Sequence, residues 1–214
     1  MNDKKYEYLS WIDRWILAAD PLGQLASEQR HFGTSGTHVL GFVYVDHTAG
    51  VSMDVDGFCN LNLDGSVLLI GGPRQQNESL KVRYDLLAGM DIALLDDNER
   101  NRLGLPIYPD WLPIYHHSGA EPLRCLPLLH PLRAEGYPDD VKFLLPADTQ
   151  HRGEVVWGRL ENSIDDNRFE CVLLNEPDQE FGLHAGEHVV ISVREISKGV
   201  SSVCLGPLSN FIEE

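Results

Sequence analysis

The chain has 214 residues, 43 % of them apolar and 23 % charged. This is a globular composition, long enough for one large domain or two small ones, and it excludes a disordered chain. Lysine and arginine number 17 against 33 acidic residues, a formal charge of −16. Neither nucleic acid nor an anionic membrane is expected as partner, because both are held through cationic side chains.

Residues 4–19 read as an amphipathic helix. Leu9, Ile12, Ile16 and Ala19 follow the i, i+3, i+7 spacing of one face, which Tyr8, Trp11 and Trp15 widen. Charges interrupt every apolar run there, so the segment predicts neither a signal-peptide core nor a membrane span, and the cytoplasm is the expected compartment. Asp20-Pro21 reads as an N-cap and first-turn proline opening a second short helix through Arg30. Three strands are predicted over 38–46, 51–63 and 67–70, with Asp64-Gly65 as a hairpin turn. Helices are predicted over 78–88 and 91–102, the second stopped by Gly104 and Pro106.

Eight of the twelve prolines lie between Pro106 and Pro146. Proline fixes φ and removes a backbone donor, so this stretch predicts an ordered connector rather than a helix or a central strand. Beyond it, residues 141–145, 154–160, 169–174, 188–193 and 201–205 read as short strands separated by turn formers. The expected fold class is α+β. N-terminal helices pack on an antiparallel sheet over 1–105, a proline-rich connector spans 106–139, and a small antiparallel β module occupies 140–214.

No motif names a reaction. His184-Ala185-Gly186-Glu187-His188 spells the H-x-x-E-H of inverted zinc peptidases. That chemistry needs both histidines on one helix face, whereas Gly186 and the strand-like run after His188 predict a turn entering a strand. His116 and His117 are adjacent in an extended segment and point opposite ways. Gly71-Gly72-Pro73-Arg74 lacks the ending of a phosphate loop. Asp54 and Asp56 alternate with Val55 and read as solvent-facing residues of a half-buried strand. Cys59, Cys125, Cys171 and Cys204 form no C-x-x-C pair and suit reduced thiols. The expectation is a non-enzyme without cofactor. Its alternative is a metal-dependent enzyme or small-ligand protein whose site gathers His116, His117, His184 or His188.

The densest charge lies between Glu161 and Glu187, where Arg168 is the only formal cation among eight acids. Clustered like charges repel, so such a surface either keeps the protein soluble or meets an opposite one. The predicted partner-binding set is Glu161, Asp165, Asp166, Glu176, Asp178 and Glu180 around Phe169 and Phe181 as exposed aromatic anchors, and the predicted partner is a basic protein.

The runs from Glu154 to Leu160, Asn175-Glu176-Pro177-Asp178, and Gly182 to Val189 resemble an uncharacterised bacterial family of small β-rich domains. Those carry a Glu-x-x-Trp strand, an Asn-x-Pro turn and a Gly-Leu-x-x-Gly-acid-x-Val entry to a strand. The resemblance covers roughly residues 141–193. It implies turn-forming roles for Gly182 and Gly186 and a core anchor in Trp157, and it implies no reaction. In size, charge and lack of a catalytic set the chain also resembles immunity proteins of interbacterial toxin systems, including those of type VI secretion. That resemblance implies neutralisation of a cognate basic toxin such as a nuclease.

Overall fold

A computed structural model describes residues 4–211. The chain divides after Tyr115 into two compact units. Strands hold 41 % of the residues and helical turns 21 %, so the protein is β-rich and the α+β expectation is corrected. No helix of the described residues is long and apolar enough to cross a membrane.

The first unit is a six-stranded sheet. Strands β1 (Arg14–Ala19), β2 (His38–Asp46), β3 (Gly50–Leu61) and β4 (Val67–Gly71) lie in the order β4-β3-β2-β1, and β6 (Asp91–Leu94) extends it beyond β1. The short β5 (Lys81–Arg83) shares the outer edge of β3 with β4, pairing Ser52 to Asp54 while β4 takes Phe58 to Leu61. All these pairings are antiparallel.

Residues 4–19 are not a helix. Lys4–Ser10 forms a 3-10 turn, Asp13 adopts a positive φ of 59°, and Arg14–Ala19 enters the sheet. The misreading has a physical cause. β1 is buried on both faces, with Trp15 and Leu17 in one core and Ile16 and Ala18 in the other. A strand covered on both sides loses the polar alternation that marks strands in sequence. One core gathers Tyr8, Trp11, Leu25 and Phe32 against Val39, Val43, Met53 and Phe58. The opposite core sets Leu105 and Leu112 on Leu40, Phe42 and Tyr44.

The helices predicted over 78–88 and 91–102 are each half strand. β5 is followed by the single turn α3 (Tyr84–Leu87), and β6 by α4 (Asp97–Arg102). The other two helices, α1 (Ala26–His31) and α2 (Pro73–Gln76), are equally short. Edge strands of three and four residues are too short for a period of two to register. The start of α4 follows the capping rule: the Asp96 side chain accepts from the Glu99 N–H at 2.8 Å.

In the second unit the proline-rich stretch winds through 3-10 turns at Glu121–Cys125 and Pro127–Leu132. The two-residue β7 (Arg133–Ala134) leads into β8 (Tyr137–Leu145), β9 (Glu154–Ser163), β10 (Arg168–Leu173), β11 (His188–Ile196) and β12 (Gly199–Pro207). These five run as an antiparallel meander, and β12 returns to β8 in parallel at Val203 and Leu144. The expected small antiparallel module is thus a five-stranded barrel, closed by one parallel pairing. Closure leaves one interior, filled by Val141, Phe143, Leu160, Phe169, Cys171 and Ile191 and joined by Leu123 and Leu129 from the 3-10 turns. Arg124 forms a two-pronged, buried ion pair with Asp139, both contacts at 2.8 Å.

Candidate functional site

The acidic stretch does not form one surface. Asp165 and Asp166 occupy the turn between β9 and β10, while Glu176, Asp178 and Glu180 occupy the loop between β10 and β11. Successive loops of a meander lie at opposite ends of the strands, and six residues of β10 separate these two by about 20 Å. Glu161 and Glu170 sit between them on the strands. Glu161 is the extra residue of a bulge in β9, since Asn162 pairs with Glu170 and Leu160 with Cys171. Gly119 lies against this bulge so closely that a Cβ would fall 2.0 Å from the Glu161 carbonyl oxygen.

Most of these carboxylates are already engaged. Glu161 meets His117 Nε2 at 2.7 Å, Glu170 meets His188 Nδ1 at 2.6 Å, and Glu176 meets His184 Nδ1 at 2.6 Å. His116 pairs with Glu121 at 2.7 Å. The four histidines considered as metal ligands thus go to four different carboxylates. Among the described residues no three histidine, cysteine or acidic side chains converge as a metal set. In the H-x-x-E-H run, Glu187 accepts from the His184 backbone N–H at 3.0 Å, and Gly186 turns at φ 89°. The run is a turn entering β11, and its two imidazoles diverge.

The Ala185 N–H and His184 hold the Glu176 carboxyl below its ordinary range, and Glu176 in return raises the His184 imidazole above 6.5. Backbone N–H groups of Asn167 and Arg168 and the Arg168 guanidinium hold Asp165 down in the same way. These groups are ionised at neutral pH and offer fixed negative charge rather than a base poised for proton transfer. Burial pushes the Cys171 and Cys204 thiols up, which removes them as thiolate nucleophiles.

The two aromatic anchors are not where the sequence suggests. Phe169 is 0 % exposed and belongs to the barrel interior. Phe181 is half-buried, packed on the barrel core with its ring 4.9 Å from that of His151. Trp157, expected in the core, points outward with 38 % of its surface exposed. Its backbone carbonyl accepts from Leu174 at 2.9 Å and its N–H donates to Asn175 Oδ1 at 2.8 Å. Trp157 therefore stands beside Leu174, with Val155 one step along the same outer face, 62 % exposed.

The acidic β10–β11 loop borders this apolar group on the Asn175 side, and the exposed Lys142 of β8 is in register with Trp157 on the other. Glu154, on the same side of β9 as Val156, accepts from the Asp178 N–H at 2.7 Å and so ties the loop that carries Glu176, Asp178 and Glu180 to the start of β9. An exposed indole with aliphatic neighbours beside an acidic loop has the composition of a protein-binding surface. Alternation along β9, with Val156 and Leu160 inward, was the available signal that Trp157 faces out. Comparison with known protein families, curated proteins and solved structures returns no match.

Proposed function

We propose that this protein is a non-enzymatic binding protein for a basic protein partner, and most concretely an immunity protein that neutralises a cognate basic toxin in the cytoplasm. What supports the reading is the exposed Trp157, Val155 and Leu174 group beside the acidic β10–β11 loop, which carries Glu176, Asp178 and Glu180 and holds the Trp157 N–H through Asn175. A buried indole supplies affinity at such an interface, while surrounding charge raises the association rate and selects partners of opposite sign. A nuclease fits because its phosphate-binding groove must be cationic. Four free cysteines agree with a reducing compartment.

The test is co-expression with the product of the adjoining gene. The wild-type chain is expected to form a complex with that product and to rescue growth. Trp157→Ala should weaken the complex about thirtyfold, as truncation of a central tryptophan does. Rescue that persists unchanged in a Trp157→Ala, Glu176→Lys, Asp178→Lys variant overturns this surface as the binding face. Absence of any complex overturns the immunity reading.

A further inference from the structure

A second site lies in the sheet unit and does not depend on the barrel face. Asp54 and Asp56 stand on the face of β3 that carries the Tyr44 and Phe42 rows: Asp54 is in register with Phe42 on one side and Lys81 on the other. The segment after α4 covers only part of that face. Trp111 packs edge-on to Phe42 and Tyr44, with ring centroids 6.0 and 4.9 Å away, and leaves an open cleft against the β3–β5 edge. The cleft has two lobes that share Asp54 and Trp111. The larger, about 430 Å³, holds four carboxylates, Asp54, Asp56, Glu78 and Asp110, against one guanidinium, that of Arg74. The smaller, about 300 Å³, is mainly aromatic, bounded by Tyr44, Trp111 and Tyr115.

We propose that this cleft docks an arginine side chain carried by an extended basic segment, with the guanidinium in the larger lobe beside Trp111 and the adjoining backbone over the smaller one. The charges in place leave room for it. Arg74 reaches Asp56 at 3.0 Å, but Asp54 has only a 3.4 Å contact with Ser79. Asp110 is exposed beside the indole. Burial raises both Asp54 and Asp56 above the ordinary carboxylate value despite Lys81 and Arg74, so their desolvation is incompletely offset. A planar cation stacked on an indole and bonded to carboxylates offsets it, and guanidinium suits that geometry better than ammonium.

The smaller lobe differs. Lys81 donates to the Tyr115 hydroxyl at 3.0 Å and lies 5.5 Å over the Tyr44 ring, so it repels a second cation from that end. The Tyr44 side chain is fully buried, with Lys81 and Tyr115 against its hydroxyl. Burial pushes its pKa up to about 12, against the opposing pull of Lys81, so it stays protonated as a donor. The Lys81 ammonium, exposed on the wall of this lobe, can instead donate to a peptide carbonyl, which is what an arginine-bearing backbone presents.

The experiment titrates N-acetyl-arginine methylamide into the full-length 15N-labelled protein and follows the indole N–H signals of its four tryptophans. Trp15 and Trp111 line the cleft, so their signals are expected to shift saturably while those of Trp11 and Trp157 stay in place. The citrulline analogue, which replaces guanidinium by neutral urea, should bind about tenfold more weakly. Asp110→Asn, at an exposed position that leaves the fold intact, should weaken arginine by a similar factor, and Asp54→Asn by at least as much. Equal binding of arginine and citrulline, or no saturable shift at Trp111, overturns the proposal and leaves the Trp157 reading standing. A shift confined to Trp157 assigns arginine binding to the barrel face instead.

Discussion

In the sheet unit the central strands are buried on both faces, whereas in the barrel β9 and β10 turn one face inward and the other toward water. β1 and β2 send alternate residues into two cores. β9 and β10 send alternate residues into one core and leave the rest outside. The difference decides where a binding group can stand. On β9 the outward Val155 and Trp157 are uncovered, so Trp157 sits on an open face. In the sheet unit the covering segment stops short of the β3–β5 edge, and there Asp54 and Asp56 line a cleft.

The largest expected effect separates two barrel aromatics of neighbouring strands. Phe169→Ala should destabilise the protein by about 3–5 kcal/mol through lost burial and a residual cavity, read from urea unfolding. Trp157→Ala should change stability by less than about 1 kcal/mol, because its face is solvated. Comparable losses from both would mean that the barrel has no free outer face, and the contrast with the sheet unit would fail.

The same contrast governs what was legible in the sequence. β9 and β10 announce themselves through alternation, and β2 to β4 and the remaining barrel strands through β-branched and aromatic runs bounded by turn residues. β1 does not, because Trp15-Ile16-Leu17-Ala18 is apolar throughout and two of its members also fit a helical face. Barrel closure rests on the parallel pairing of Val203 with Leu144, a contact between distant residues with no local signature. The acidic stretch was visible as composition, but its division between opposite ends of β10 follows from the meander. Asp54 and Asp56 read as solvent-facing, which misses the aromatic wall brought over them from Trp111 and Tyr115, more than fifty residues downstream.

Ion pairs repeat the contrast at smaller scale. Arg124 and Asp139 are each 8 % exposed in the barrel unit, so Asp139→Ala strands a buried guanidinium and should cost about 3–5 kcal/mol. In the sheet unit Arg74 is largely exposed where it meets Asp56, and Asp56→Asn should cost no more than about 1 kcal/mol. Denaturant midpoints of the two variants measure the difference. A loss of several kcal/mol in Asp56→Asn would show that its carboxylate is structural and not held for a ligand.

Carboxyl titration sharpens the comparison further. Asp54 and Asp56 are raised above 3.8 by burial, so the stability they contribute is whole below 3.8 and is lost as pH rises through their folded values. Asp148, on the barrel unit, is held down at about 2 by His151 and by backbone N–H groups. Its contribution is whole above 3.8 and is lost as pH falls toward 2. Carbon-13 detection of the side-chain carboxyls should place the first two above 3.8 and Asp148 well below it. Arginine amide should lower the Asp54 midpoint if the cleft receives a cation, and leave Asp148 where it is.

The smallest effect is at the turn that imitates a peptidase motif. Glu176 raises His184 above 6.5 through a hydrogen bond and its charge, with lesser help from Glu187 and Glu180. Because the folded value is raised, what His184 contributes to stability is present below 6.5 and disappears as pH rises through that higher value. Glu176 is lowered from 4.5, so its own contribution is present above 4.5 and disappears as pH falls through its folded value. The pair therefore acts between these limits, on a loop that also carries Asp178 and Glu180. Glu176→Gln should bring the His184 midpoint back toward 6.5 in a proton NMR titration, and Glu187→Gln or Glu180→Gln should move it less. A metal site would behave otherwise: zinc added at neutral pH would suppress the titration of His184 and broaden the ring signals of both His184 and His188. Independent behaviour of the two rings is what diverging imidazoles on a turn entering a strand require.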